Sequence, residues 1–264
     1  MSLLKPPTYH TPDNVRPGLA YRLLPWARLH FYRLTIPALL RGRRQALRGE
    51  FNDKVFADRA EDILQAAEYC GARVHVTGLE HIADTPGPVV FVGNHMSMLD
   101  TFLLPAAISP HKTVGFVLKE SLTRNWLMGP VVVAQQAITV GRENPREDLA
   151  GVLRDGVERL SRNHSVIIFP QGTRSADFAT GKFNSLGTKL ARRANVPLIP
   201  FAMKTDFLEN GRWVKDLGPV FPDRDVHMAF GPPIMDATDQ RAAQEQSLAF
   251  ICANLRSWGV PCVD

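Results

Sequence analysis

From about residue 53 onward, short apolar runs alternate along the chain with longer segments in which apolar residues recur at helical spacing. Short runs rich in β-branched and aromatic residues predict strands, and the longer amphipathic segments predict helices. The predicted strands are 73–77, 89–92, 113–118, 137–140, 166–169, 198–203 and 226–230, and the predicted helices are 58–70, 101–108, 147–160, 186–194 and 239–258. This alternation predicts a single α/β domain with a largely parallel or mixed sheet flanked by helices.

The segment that precedes this domain has a different pattern. Between Leu19 and Leu34, leucine and aromatic residues gather on one broad arc of a helix, and arginines take most of the rest. Pro25 and Pro37 interrupt the pattern, so we expect two short kinked helices rather than one long helix. Such a segment is typical of a helix that lies on anionic lipid. It also fits a helix packed on its own domain, whereas a nucleic-acid-binding arm would leave the leucine and tryptophan side chains without a role.

The distribution of charge separates the two parts further. Residues 1–49 contain nine lysines and arginines and one acidic residue, although the net charge of the whole chain is only +5. We therefore predict a basic amphipathic helical segment for membrane association at 1–52, as an appendage to an α/β domain at 53–264. The hydrophobic content of 45% and the charged content of 22% are ordinary for a globular protein and exclude a disordered or collagen-like chain.

Three features of the sequence bear on the cellular location. No apolar stretch approaches the roughly 18 to 20 residues that a helix needs to cross a bilayer. The amino terminus lacks the apolar core and small-residue cleavage site of a secretory signal. The cysteines Cys70, Cys252 and Cys262 are odd in number and widely spaced, without a Cys-x-x-Cys pair, which favours a reduced compartment and argues against a zinc site. We expect a peripheral protein at the cytoplasmic face of a membrane.

The first candidate for chemistry is the pair His95 and Asp100, which directly follows the predicted strand 89–92. On a continuous helix these side chains would point about 140° apart, so they can meet only if a turn intervenes. A histidine held by a carboxylate on one ring nitrogen presents the other nitrogen as a base. A structural interpretation is equally specific, since Ser97 and Asp100 also form a Ser-x-x-Asp capping box before the predicted helix 101–108.

The second candidate is the loop 169–175, Phe-Pro-Gln-Gly-Thr-Arg-Ser, after the predicted strand 166–169. Its backbone amides, its hydroxyls and Arg174 together suit a phosphate. Arg142 ends another predicted strand, and strand ends on one edge of a parallel sheet lie side by side, so Arg142 and Arg174 can converge on one anion. The structural alternative is an ordinary turn with a surface arginine, and a solvated charge before a helix cap.

The order of these motifs resembles the glycerolipid acyltransferase family that includes the 1-acylglycerol-3-phosphate acyltransferases. The resemblance is carried by four blocks, which are Asn94-His95-x-Ser97-x-x-Asp100, Ile138-Thr139-Val140-Gly141-Arg142, Phe169-Pro170-Gln171-Gly172-Thr173-Arg174-Ser175 and Val196-Pro197-Leu198-Ile199-Pro200. Shorter matches lie at Gly78-Leu79-Glu80, at Lys119-Glu120 and at 230–234. The resemblance covers roughly residues 73–234 and implies a glycerol-3-phosphate acyltransferase-like fold.

The resemblance also implies roles for individual residues. His95 would take the proton of an acceptor hydroxyl, which then attacks the thioester of an acyl-CoA or acyl-carrier protein, and Asp100 would fix the tautomer of His95. The implied substrate-binding residues, chiefly for the acceptor phosphate, are Arg142, Gln171, Gly172, Thr173, Arg174 and Lys119. Block 196–200 implies a packed strand that could line the acyl site. Neither a cofactor, nor a metal, nor a nucleic-acid partner is implied.

Two positions depart from the family pattern. Gln171 stands where the family usually has Glu, and Gly141 stands where it usually has Asp before the arginine. Gln171 keeps its hydrogen-bonding capacity but loses a charge. Both changes remove negative charge near the expected phosphate site, so they leave the expected base intact and open the identity of the acceptor.

The expected function is acyl transfer to 1-acylglycerol-3-phosphate or a related lysophospholipid, giving phosphatidic acid or a phospholipid, at an anionic membrane surface. Three alternatives remain open from the sequence. The acceptor can be a lyso-aminolipid or glycolipid, water can replace the acceptor in a thioester hydrolase, or the chain can be a lipid-binding protein of the same fold without catalysis.

Overall fold

The computed structural model of the protein describes residues 3–24, 26–141, 143–213 and 215–263. The strands are β1 Tyr9–His10, β2 Val74–Thr77, β3 Val90–Gly93, β4 Val114–Lys119, β5 Ile138–Val140, β6 Ser165–Ile168, β7 Phe178–Ala179, β8 Leu198–Lys204, β9 Val226–Phe230 and β10 Cys262–Val263. The α-helices are α1 Leu19–Leu23, α2 Ala27–Leu47, α3 Asp53–Tyr69, α4 Leu79–Ala83, α5 Met98–Ile108, α6 Gly129–Ala134, α7 Pro145–Ser161, α8 Leu186–Ala194 and α9 Gln240–Ser257. All the strands and helices predicted from the sequence are present, with boundaries that differ by a few residues.

Eight of these strands form one sheet in the order β1-β2-β9-β8-β3-β6-β4-β5. Neighbouring strands run parallel except at β1 with β2 and at β8 with β9. The short strands β7 and β10 pair separately and in parallel. The expected α/β domain with a largely parallel or mixed sheet is confirmed.

Helices cover both faces of the sheet, and the central strand β3 shows how the sequence achieves this. Phe91 packs into a core shared with α2, α3 and α5, whereas Val90 and Val92 pack into a second core shared with α7, α8 and α9. A strand buried on both faces needs an unbroken apolar run rather than an alternating pattern. The run Val89 to Gly93 satisfies this requirement.

The parallel strands β3, β6, β4 and β5 are neighbours in the sheet and end at the same edge. The residues that follow them include His95 after β3, the loop 169–175 after β6 and Gly141 after β5. In open α/β sheets, ligands bind beyond the carboxyl ends of the strands. The fold therefore brings most of the candidate residues to one edge of the sheet.

The segment before residue 53 packs against the rest of the domain. β1 extends the sheet by pairing with β2, and Phe31 of α2 is buried against Phe207 at a ring distance of 5.5 Å. The expected pair of short helices is only half right, because α2 continues through Pro37 to Leu47. The predicted apolar arc is divided, since Ala27, His30 and Phe31 face the core while Leu19, Leu23, Leu24 and Trp26 are exposed. None of the described helices combines the length and apolar character needed to cross a bilayer.

The cysteines differ from the expectation. Cys252 of α9 and Cys262 of β10 form a disulfide, which runs against the reduced compartment that the cysteine spacing favoured. Spacing alone could not reveal it, because the pairing depends on the turn that brings β10 back beside α9. Cys70 is free and buried, and burial raises the pKa of its thiol to about 12.

Candidate active site

His95 and Asp100 meet across a turn, as the sequence requires. β3 ends at Gly93 and α5 begins at Met98, so His95 lies in the connection before the helix. His95 Nδ1 lies 2.8 Å from Asp100 Oδ2. The imidazole is 15% exposed, whereas the carboxylate is fully buried.

The carboxylate of Asp100 both binds His95 and caps the start of α5. Its Oδ2 also accepts hydrogen bonds from the backbone N–H groups of Met96 at 2.6 Å and Ser97 at 3.0 Å. Its Oδ1 accepts one from the hydroxyl of the buried Thr205. Ser97 completes the capping box by accepting from the start of α5. The two interpretations of the sequence are therefore not alternatives, because one side chain caps the helix and holds the histidine.

These contacts fix the proton positions on the imidazole ring. Because Asp100 acts as the acceptor in its other hydrogen bonds, His95 Nδ1 carries the proton that faces Oδ2. Nε2 then carries a lone pair. Since His95 lines the cavity described below, this nitrogen is available to a ligand there.

The loop 169–175 holds His95 from the opposite side. The ring of Phe169 stacks on the imidazole, with centroids 4.1 Å apart and planes inclined by 17°. The Gln171 amide oxygen accepts a hydrogen bond from His95 N at 3.0 Å, and Ser175 N donates to His95 O at 2.9 Å. Gln171 thus contacts the backbone of the proposed base, a positioning contact that its assignment as a substrate-binding residue did not foresee. A carboxylate oxygen could accept the same bond, so Gln in place of Glu leaves this contact intact.

Arg174 belongs to the loop 169–175 and lines the same cavity as His95. Its Nη2 donates to Asp216 Oδ1 at 2.7 Å, and its side chain is only 17% exposed. Its Nη1 is buried and has no hydrogen-bond partner among the described residues. A buried guanidinium with an unused donor suits an incoming anion. Arg142 lies outside the described residues, so its convergence with Arg174 stays a prediction.

The other expected substrate-binding residues lie around the same opening. Gly172 has φ of +69°, the left-handed conformation that glycine adopts freely, and its N–H donates to Phe169 O within the turn. Thr173 and Lys119 are exposed and, with Gly172, line the rim of the cavity. Lys215 lies there too and was missed, because nothing in the local sequence connects it with the strand ends.

The backbone of Gly141 is held by α7. Its N–H donates to Asp148 Oδ1 at 2.9 Å, and a Cβ on Gly141 would lie 3.8 Å from the same oxygen. An aspartate at this position would bring a second carboxylate beside Asp148. Repulsion from Asp148 therefore disfavours an aspartate at position 141.

A cavity of about 470 Å³ runs from this polar rim into the interior. Its walls are mainly apolar and come from α2, α3, α5, β4, α6 and the end of β6. Lining side chains include Leu39, Phe56, Ile63, Phe102, Phe116, Met128 and Val131. The block 196–200 leads into β8, as expected, but it does not line this cavity, so its place beside an acyl chain stays a prediction.

Comparison with known proteins supports the resemblance. A family model described as Acyltransferase matches residues 73–204, which is half of the chain. A Pseudomonas aeruginosa protein named 1-acyl-sn-glycerol-3-phosphate acyltransferase is 32% identical over 151 residues, covering 57% of each chain. A chloroplastic Arabidopsis thaliana protein, 1-acyl-sn-glycerol-3-phosphate acyltransferase LPAT1, is 28% identical over 131 residues, covering 50% of this chain and 36% of the relative. The matches thus span 57% and 36% of the lengths of these two curated relatives.

A solved structure has the same fold. The 1-acyl-sn-glycerophosphate (LPA) acyltransferase PlsC from Thermotoga maritima superposes with a TM-score of 0.65 at 20% identity, covering 88% of this chain and 94% of that one. The match of the family model extends from β2 to the end of β8 and contains His95, Asp100 and the whole loop 169–175. On these grounds, this chain belongs to the Acyltransferase family.

Proposed function

We propose that this protein transfers a fatty acyl group from an acyl thioester to the hydroxyl of 1-acylglycerol-3-phosphate or a related lysophospholipid. The observation that carries the proposal is the position of His95. It is held by Asp100 on one nitrogen and lines an apolar cavity whose rim bears Arg174. A base, an anion-binding cation and a space for a hydrocarbon chain are the three elements that this reaction requires.

The chemistry follows from the tautomer of His95. Nε2 removes the proton of the acceptor hydroxyl as its oxygen forms a bond to the thioester carbonyl carbon. Collapse of the tetrahedral intermediate breaks the carbon–sulfur bond, and the departing sulfur takes the proton back from Nε2. Asp100 stabilises the imidazolium that exists between these two transfers. A positioned base of this kind contributes roughly 10² to 10⁴ to the rate.

The apolar cavity supports an acyl chain as the ligand. Each methylene that leaves water contributes about 0.8 kcal/mol, so a chain threaded between α2, α3 and α5 would gain most of its binding energy there. His95 lines this cavity together with the exposed rim residues, so the carboxyl end of such a chain would lie beside the base. The volume of about 470 Å³ is within the range usual for small-molecule sites.

The acceptor phosphate would bind at Arg174. Its buried and unpaired Nη1 can donate to a phosphate oxygen, and Thr173 offers a hydroxyl on the same rim. Lys119 and Lys215 add positive charge around the opening. Asp216 occupies Nη2, so a phosphate has to compete with this carboxylate for part of the guanidinium.

We further propose that the enzyme works peripherally at the cytoplasmic face of a membrane. Leu19, Leu23, Trp26 and Leu29 on α1 and the first turns of α2 are all more than half exposed, and they are interspersed with Arg22 and Arg28. Exposed leucine and tryptophan next to arginine favour the interface of an anionic bilayer. This location would give the site access to a lipid acceptor.

The proposal is tested by measuring transfer of a labelled acyl group from acyl-CoA, and separately from acyl-carrier protein, to a panel of lyso-acceptors. The panel contains lysophosphatidic acid, other lysophospholipids and a phosphate-free lyso-aminolipid. We expect preference for lysophosphatidic acid, loss of transfer in His95→Ala, and a raised KM for the acceptor in Arg174→Ala. Arg193→Ala, on the exposed side of α8, is the matched control for removal of an arginine.

The alternatives give different results in the same assay. Preference for the phosphate-free acceptor would keep His95 as the base and reject Arg174 as the anion site. Release of free fatty acid at the same rate with and without acceptor would indicate a hydrolase. Lipid binding without transfer by either donor, unchanged in His95→Ala, would indicate a binding protein and overturn the proposal.

A further inference from the structure

The two ends of the loop 209–218 are joined by backbone contacts. It follows β8, and at its neck Leu208 and Val220 form an isolated antiparallel bridge and are both buried. Glu209 N donates to Pro219 O at 3.1 Å. At Gly218 the backbone approaches Glu209 so closely that a Cβ would lie 1.7 Å from its carbonyl oxygen, so only glycine fits there. The neck therefore holds the two ends of the loop together and presents its described outer residues, 212–213 and 215–217, to solvent.

The outer part of this loop is apolar and basic. The side chain of Trp213 is 92% exposed, and Leu217 is 47% exposed. Arg212 lies with its guanidinium 5.7 Å from the Trp213 ring, and Lys215 is also exposed. A tryptophan that the domain leaves almost wholly in water gains nothing from folding, whereas beside cationic groups it is well suited to the headgroup region of an anionic bilayer.

The loop lies directly against α2. Arg28 Nη2 donates to Leu217 O at 3.0 Å, and the Tyr32 hydroxyl donates to Gly218 O at 3.0 Å. Arg28 and Tyr32 lie one turn apart on the same helix whose start exposes Trp26 and Leu29. The backbone of the loop therefore contacts α2 close to the exposed apolar residues at the start of that helix.

The inner side of the same loop faces the candidate site. Lys215 and Asp216 line the cavity, and Asp216 binds Arg174. Along the chain, the exposed apolar residues Trp213 and Leu217 therefore flank Lys215 and Asp216, which are exposed at the rim of the cavity. A surface that binds the exposed side chains of the loop would therefore also fix the position of the cavity rim.

We propose that the loop 209–218 is a second membrane-docking element, which completes the surface of α1 and α2 and seats the mouth of the cavity on an anionic bilayer. The inference rests on the peripheral membrane location proposed above. Charge favours a bilayer over a second copy of this chain, because a symmetric contact through this surface would bring Arg28, Arg212 and Lys215 of both copies together. Anionic lipid instead complements these groups.

The test is co-sedimentation of the full-length protein with vesicles of phosphatidylcholine alone or mixed with phosphatidylglycerol, without substrate. We expect Trp213→Ala to lower the partition coefficient on mixed vesicles roughly tenfold, as removal of one inserted aromatic side chain should. The matched control is Met235→Ala. Met235 is 62% exposed and follows Ile234, which pairs with the start of β8, so it lies at the opposite end of that strand from the loop. Because both side chains are exposed, neither variant should alter the thermal unfolding midpoint.

A second measurement locates the loop independently. Brominated lipids quench tryptophan fluorescence on contact, and the chain has four tryptophans. We expect quenching on mixed vesicles to fall in Trp213→Phe while sedimentation is retained, since phenylalanine can still insert.

The outcomes separate this inference from the proposals on which it rests. If Leu23→Ala weakens sedimentation but Trp213→Ala matches the wild type, α1 and α2 bind membrane and the loop inference is wrong. Equal losses in Trp213→Ala and Met235→Ala would also overturn it, as would concentration-dependent dimerisation that Trp213→Ala abolishes. Because no acyl transfer is measured, failure of the proposed activity would leave these readouts unaffected.

Discussion

Replacing Asp100 by asparagine should separate the charge of this side chain from its hydrogen bonds. Oδ2 meets three donors, which are His95 Nδ1, Met96 N and Ser97 N, so the amide oxygen of asparagine has to take this position. The amide nitrogen then takes the position of Oδ1 and donates to the Thr205 hydroxyl. That hydroxyl can turn its hydrogen toward Ser97 Oγ, 2.9 Å away. We therefore expect Asp100→Asn to fold with His95 in its present tautomer.

The magnitude follows from what the substitution removes. A hydrogen bond to a charged group contributes about 1.5 to 3 kcal/mol, against about 1 kcal/mol for a neutral one. Stabilisation of the imidazolium should therefore fall by roughly 1 to 2 kcal/mol, which corresponds to a decrease in kcat of about 5- to 30-fold. Asp100→Ala instead removes every one of these acceptors and leaves buried N–H groups unpaired, so we expect it to lose about 3 to 5 kcal/mol of unfolding free energy.

Urea unfolding of both variants measures the structural part, and release of thiol from acyl-CoA in the presence of acceptor measures the catalytic part. The reasoning would be refuted if Asp100→Asn were destabilised as strongly as Asp100→Ala. It would also be refuted by a fully folded Asp100→Asn variant whose kcat fell by about 10⁴ or more, since a loss of that size indicates the wrong tautomer of the histidine.

Three further predictions concern other parts of the molecule. Burial, followed by the neighbouring His75, lowers the pKa of His227 from 6.5 to about 4. The unfolded chain then binds this proton more readily, so stability present above pH 6.5 should be lost as the pH falls toward 4, by about 1 to 3 kcal/mol in urea titrations, and His227→Gln should flatten this dependence. Gln171→Glu should retain kcat within about threefold, because either oxygen accepts from the backbone of the base, and a larger loss in a steady-state assay would contradict that equivalence. Asp216→Asn should tighten competitive inhibition by inorganic phosphate about 3- to 10-fold by freeing Arg174, and an unchanged inhibition constant would show that Asp216 does not compete.

The fold was predictable because the strands that form its centre are buried on both faces. Runs such as 89–92 and 166–169 are apolar without alternation, and no other placement hides them from water. Since both are parallel strands, the order of elements also placed His95 and the loop 169–175 at one edge. The general position of the candidate site thus followed from local patterns.

The contacts that complete the site were not predictable in the same way. Thr205 reaches Asp100 across 105 positions, and Gln171 reaches His95 across 76. Thr205 lies outside every motif, and Gln171 was expected to bind substrate rather than the backbone of His95, so the sequence indicated neither contact. The prediction for the apolar arc between Leu19 and Leu34 was incomplete for a related reason. Periodicity shows that a helix face is apolar, but it does not show whether that face contacts protein or solvent. Only tertiary packing assigns Phe31 to the core and Trp26 to the surface.

The hold of the loop 169–175 on His95 has a consequence for how such chains can diverge. The two motifs leave β3 and β6, which are immediate neighbours in the sheet, while β4, α6, β5 and α7 form an excursion between them. Insertions or deletions in that excursion leave the distance between β3 and β6 unchanged. The excursion also supplies cavity walls such as Phe116 and Val131. Sequence changes in the excursion can therefore alter the cavity wall and the ligand that the cavity accepts. His95 and the residues that contact it keep their relative positions.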